Sequence, residues 1–130
     1  MILSKLRGVS MSLCLAPILL ISPGCGASAS PADPARAQET LRIALDAWKA
    51  GSKPGDLSGH ATPIRVSDQE WAGGWTLLDY RVDDDGKLVG FDMNYPVELN
   101  LKRPGGGTVK KKAVYTVTTH PESLVLRQEG

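Results

Sequence analysis

Few side chains in this sequence are of types that do chemistry, and their spacing decides what each can be. The two histidines, His60 and His120, stand beside turn residues in Ser58-Gly59-His60 and His120-Pro121. A general base or a metal ligand needs a partner within reach. Neither histidine has one at a helical or strand spacing, so both read as solvated loop residues. Asp83-Asp84-Asp85-Gly86 suggests calcium, but a calcium loop spreads its oxygen ligands over twelve positions and closes on a bidentate Glu. This run is contiguous, and its Asp-Gly pair is the signature of a tight hairpin. Lys110-Lys111-Lys112, facing Lys102 and Arg103 across a Gly-rich turn, makes a basic hairpin tip. Such a tip can touch phosphate head groups or anionic polymers, or can guard a sheet edge against strand addition. Trp71 and Trp75 flank Gly73-Gly74 and lie close to Tyr80. Exposed, they form a binding patch; buried, they pack against Trp48. No G-x-S-x-G elbow or strand-borne G-x-G-x-x-G is present, and Gly105-Gly106-Gly107 precedes no helix that could hold a phosphate. No catalytic residue, metal site or cofactor is expected.

The remaining reactive group is a thiol. Lys5 and Arg7 precede an apolar run over residues 9–21, followed by Ser22-Pro23-Gly24 and then Cys25. Positive, apolar, small is the layout of a signal peptide. The run is too short to span a bilayer, which takes roughly 17–25 apolar residues as helix. The segment ending in Gly24-Cys25-Gly26 resembles the lipobox of bacterial lipoproteins, although Ser22 stands where that family usually carries Leu. The resemblance implies cleavage before Cys25 and a diacylglyceryl group on its sulfur. It implies anchorage in the cell envelope, with Gly26 leaning toward the outer rather than the inner membrane. A rival A-x-A site, Ala27-Ser28-Ala29, would instead release a soluble protein cut after Ala29. The expected organisation is a signal peptide over 1–24, a tether over 25–33 and a domain over 34–130. Cleavage before Cys25 leaves one cysteine, which excludes a disulfide framework. It also leaves thirteen basic residues against fourteen acidic ones, so bulk charge gives no reason to propose nucleic acid as a partner.

A framework must position whatever the domain does. Asp33-Pro34 pairs an N-cap with a proline at the first helical position. Ala37, Leu41, Ala44, Leu45 and Trp48 then recur on one helical face, and Gly51 and Pro54 end the pattern. The spacing predicts a helix over 34–50. Short strands are expected over 62–66, 75–82 and 123–128, with a turn or single helical turn over 68–74. The strongest strand pattern is Val89, Phe91, Met93, Tyr95, Val97, Leu99 and Leu101, in strict alternation with polar or small residues. Pro96 within it predicts a bulge, bend or edge. Residues 108–119 form a further strand, with Val109, Ala113, Tyr115 and Val117 on one face and Lys110, Lys112 and Thr116 on the other.

The fold class expected is α+β: one amphipathic helix covering a curved antiparallel meander of about four strands. That element order resembles the cystatin-like and NTF2-like folds. The resemblance implies a pocket between helix and sheet, here lined by Trp48, Phe91, Met93 and Tyr95. Two functions are carried forward. One is a lipid-anchored module binding an envelope protein or peptide. The other is a small-ligand carrier or enzyme built on that pocket.

Overall fold

The computed structural model describes residues 30–129. The export segment, Cys25 and the A-x-A site lie outside the described residues.

Helix α1 (Pro34–Lys49) starts and stops as its ends dictate. The Asp33 carboxylate accepts the Ala35 N–H at 3.1 Å. At the other end Gly51, at φ +93°, lets its own N–H reach the Trp48 carbonyl and the Ser52 N–H reach Ala47, a Schellman closure that a side chain at Gly51 would strain. The predicted stripe is buried, joined by Thr40. Each fully buried leucine of this stripe contributes about 1.5–3 kcal/mol.

A 3-10 turn (Pro54–Gly59) leads to β1 (Ile64–Ser67), a one-turn helix α2 (Gln69–Ala72), β2 (Thr76–Val82), β3 (Lys87–Val89), β4 (Asp92–Lys102), β5 (Thr108–Thr118) and β6 (Ser123–Arg127). The sheet order is β1-β6-β5-β4-β2, with β3 also on β4. This is a curled six-stranded mixed sheet, not a four-stranded antiparallel meander. The difference lies in β1, which runs parallel to β6 with Ile64 opposite Ser123 and Ser67 opposite Leu126. That pairing gives the sequence's first strand a partner near its other end.

Strands β4 and β5 form the long central ladder, from Met93 opposite Val117 to Lys102 opposite Thr108. Met93, Tyr95, Val97, Leu99 and Leu101 all point into the core, as their alternation predicts. The pattern does not extend to Phe91. Gly90, at φ +65°, turns the chain between β3 and β4, and Phe91 sits in that turn with 54% of its surface exposed. Pro96 keeps its register opposite Val114 without a bulge. Its carbonyl accepts the Asp83 N–H just past the end of β2, so the donor it lacks faces the break between β2 and β3. The irregularity falls on β2 instead, between Leu77 and Asp79. This bulge buries Leu77, turns Leu78 outward and still lets Tyr80 and Val82 pack against the core.

The expected tether is shortened by the fold. Ala32 is a buried core residue whose N–H donates to the Phe91 carbonyl at 2.9 Å, and the Asp33 N–H donates to Thr119 Oγ1. The domain therefore begins at Ala32.

Candidate functional site

The three tryptophans meet where the C-terminal end of α1 crosses α2 and the start of β2. Trp48 and Trp71 stack face to face, with centroids 5.3 Å apart and planes 7° from parallel. Each is buried and each indole N–H is used: Trp48 donates to the Trp75 carbonyl at 2.8 Å and Trp71 to the Ser52 carbonyl at 2.7 Å. Trp71 is thus a core residue and not part of an exposed patch. Trp75 is half-buried, and two cations lie over its ring, Lys111 Nζ at 5.1 Å and Arg103 at 5.8 Å from the centroid. The three rings still share a feature, a cleft of about 230 Å³ that Gly51, Ser52, Lys53, Gly74 and Thr76 complete. That falls below the roughly 300–1,000 Å³ of sites for drug-sized ligands. It suits a single side chain.

The pocket residues expected from the fold resemblance are not gathered around a space. Trp48, Met93 and Tyr95 are packed in the core, and Phe91 lies outside it on the β3–β4 turn. Tyr95 fills the interior so closely that a Cβ at Gly86 would run into its ring. His60 and His120 are exposed, as are Asp83, Asp84 and Asp85. Among the described residues no three of His, Cys, Asp and Glu converge as metal ligands would, and no helix is long and apolar enough to cross a membrane.

Beside the tryptophans lies an ion network that the sequence reading missed. Asp68 caps α2, its Oδ1 accepting the N–H groups of Glu70 and Trp71. The side chain is fully buried. Its Oδ2 accepts the Tyr115 hydroxyl at 2.5 Å, and Arg127 Nη1 lies 3.3 Å from Oδ1. Arg127 also pairs with Glu70, which takes the Lys111 ammonium at 2.8 Å. Burial and the neighbouring Asp68 push the Tyr115 hydroxyl far above a tyrosine's ordinary value. Burial works to raise the Glu70 carboxyl, but Lys111 and Arg127 outweigh it and hold that group below the usual carboxylate range. Burial likewise opposes the charge on Arg127, and Asp68, Tyr115 and Glu70 outweigh it. Tyr115 stays protonated, Glu70 ionised and Arg127 charged, so none of these three is poised to exchange a proton near neutral pH. Glu70 Oε1 is buried against Arg127 as an ion pair without a hydrogen bond, and the network clamps the β1–α2 turn onto β5 and β6. One signal was present: Lys111 is in phase with Val109, Ala113, Tyr115 and Val117, a cation on the apolar face of its strand.

Lys111 also borders an open sheet edge. Strand β6 pairs with β5 only from Tyr115 to Thr118, and the Gln128 N–H adds one bond to the Val114 carbonyl. Backbone groups alternate sides along a strand, so those of Lys112 and Lys110 point the same way as Val114, where no strand pairs with them. A groove of about 590 Å³ adjoins this edge and extends onto the sheet face, lined by Asp83, Pro96, Lys112, Val114, Gln128 and Glu129 among others. Lys102, Arg103, Lys110 and Lys112 take part in no ion pair among the described residues.

Compared with protein-family models, with curated proteins and with solved structures, the chain matches none of them. Its functional reading therefore rests on residues and geometry.

Proposed function

We propose that this is an exported protein held in the cell envelope by a lipid on Cys25, and that its domain is a binding module for an acidic, extended segment of an envelope protein or peptide. The observation that carries the binding half is the open edge of β5, where unpaired backbone groups coincide with lysines that have no carboxylate partner. An added strand would take main-chain bonds from Lys110 and Lys112 and set its acidic side chains against their ammonium groups. The same lysines make two copies of this edge repel each other, so the edge rejects self-addition while it admits a strand of opposite charge. The nearby Trp75 cleft has room for one side chain of such a partner. The anchoring half is supported by the order of the N-terminal residues: two cations, an apolar run, small residues and Cys25.

Two measurements test the two halves. Intact mass and membrane fractionation of the expressed chain, beside Cys25→Ala, should show acyl mass and membrane pelleting for wild type alone. A soluble chain beginning at Ser30 overturns the anchor. Titration with a Glu-rich extended peptide, followed by tryptophan emission, should saturate for wild type and weaken at least tenfold in Lys110→Glu/Lys112→Glu. Equal binding by both proteins, or none by wild type, overturns the binding site.

A further inference from the structure

The β3–β4 hairpin exposes an apolar tip. Leu88, Val89 and Phe91 are 49%, 51% and 54% exposed and adjoin one another around Gly90. Isolated exposed apolar residues are ordinary, but a contiguous set on one protruding turn marks a contact surface. Its position says which contact. The Ala32 N–H is bonded to the Phe91 carbonyl at 2.9 Å, so the chain leading back to Cys25 leaves the domain at this tip. Cys25 and Ala32 are seven residues apart, a span of at most about 25 Å fully extended.

We infer that Leu88, Val89 and Phe91 insert at the head-group–acyl boundary of the membrane that holds Cys25, as a second contact that orients the domain end-on. This rests on the Cys25 anchor proposed above. A lipid alone leaves the domain free to tumble within reach of its tether; an apolar tip beside the attachment point removes that freedom. The depth required is small, roughly 5–10 Å, which Phe91 on the two-residue turn and Leu88 and Val89 at the adjoining end of β3 can reach. Lys87, exposed at the start of β3, stands level with the head groups. Asp83, Asp84 and Asp85 lie at the far end of β3, roughly 10 Å back from the tip. They disfavour a strongly anionic surface, so the surface expected is zwitterionic. The basic β4–β5 turn lies at the opposite end of β4, so in this orientation those lysines face away from the membrane.

The test uses the full chain purified from membranes and reconstituted into phosphatidylcholine vesicles with brominated acyl chains. Phe91→Trp adds a reporter at the tip, while the native tryptophans report on the other end. Val89→Trp supplies the same readout should one substitution disturb folding. With acyl mass on Cys25 verified, the added emission should be largely lost to bromine quenching and the native emission retained. Equal quenching of added and native tryptophans, or of neither, overturns the inference and leaves the anchor standing; protection of the added tryptophan by residues 26–29 or by a second copy would read this way. Absence of acyl mass removes the anchor, and the inference falls with it.

Discussion

Strands β4 and β5 run the length of the domain, and their two ends are finished in opposite ways. At the β3–β4 end the turn is apolar, exposed and bonded to the incoming chain through Ala32. At the β4–β5 turn, about 33 Å away along eleven residues of β4, the surface is basic. Between the two turns, where Tyr95 of β4 lies directly opposite Tyr115 of β5, the two strands are held in different ways. On β4 the contact is one of shape, with Tyr95 under Gly86; on β5 it is one of buried charge, with Asp68 between Tyr115 and Arg127. Shape-held structure tolerates changes of charge and salt but no added volume. Charge-held structure responds the other way.

The largest effect should come from breaking the charged contact. Asp68→Ala strips the cap of α2, removes one of the two carboxylates paired with Arg127 and orphans the buried Tyr115 hydroxyl. It should cost about 3–5 kcal/mol in urea unfolding, and a loss within 1 kcal/mol would mean that the network is not what clamps α2. Next comes the shape-held contact. Gly86 has φ +84° and faces the Tyr95 ring, so Gly86→Ala should lower stability by about 1–3 kcal/mol, seen as a lower thermal midpoint that added salt does not change. Tyr115→Phe removes one donor from Asp68 and should cost about 1–3 kcal/mol, with no change in the emission of the Trp48–Trp71 stack.

A pH titration separates the two contacts more finely. The folded-state pKa of Glu70 lies below its ordinary value of 4.5. Glu70 therefore contributes stability that is complete above that value and is lost as pH falls through the lower folded pKa. Acid unfolding below pH 4.5 should be less steep in Glu70→Gln, and an unchanged slope would remove Glu70 from the network's account. The smallest effect on stability belongs to Lys110→Glu/Lys112→Glu, exposed and without an ion-pair partner among the described residues, which should stay within about 0.5 kcal/mol of wild type while peptide binding weakens as stated above.

The two kinds of contact also differed in how far they could be read from sequence. The apolar side was legible because burial leaves a period: the α1 stripe and Met93 to Leu101 need only local spacing to be seen. Phe91 was misassigned because its parity fits β4, whereas Gly90 breaks the strand one residue earlier. The bulge that buries Leu77 and turns Leu78 outward was not legible, because it shifts the phase without a marker in residue type. The charged side was illegible because its members come from β1–α2, β5 and β6. Asp68 to Arg127 spans most of the domain, and nothing local to either announces the other. Lys111 was the exception, a charge at an apolar parity that already asked for a carboxylate. The parallel pairing of β1 with β6 was hidden for the same reason of distance, and with it the extra strands and mixed character of the sheet.

That pairing also sets a timetable. Strand β1 has no strand partner until residue 127 is available, and Asp68 has no arginine until then, so a growing chain lacks the means to lock its first half. Ladders closed between distant segments form late and slowly. For the export proposed above, such a delay would keep the chain unlocked until its last strand has been made.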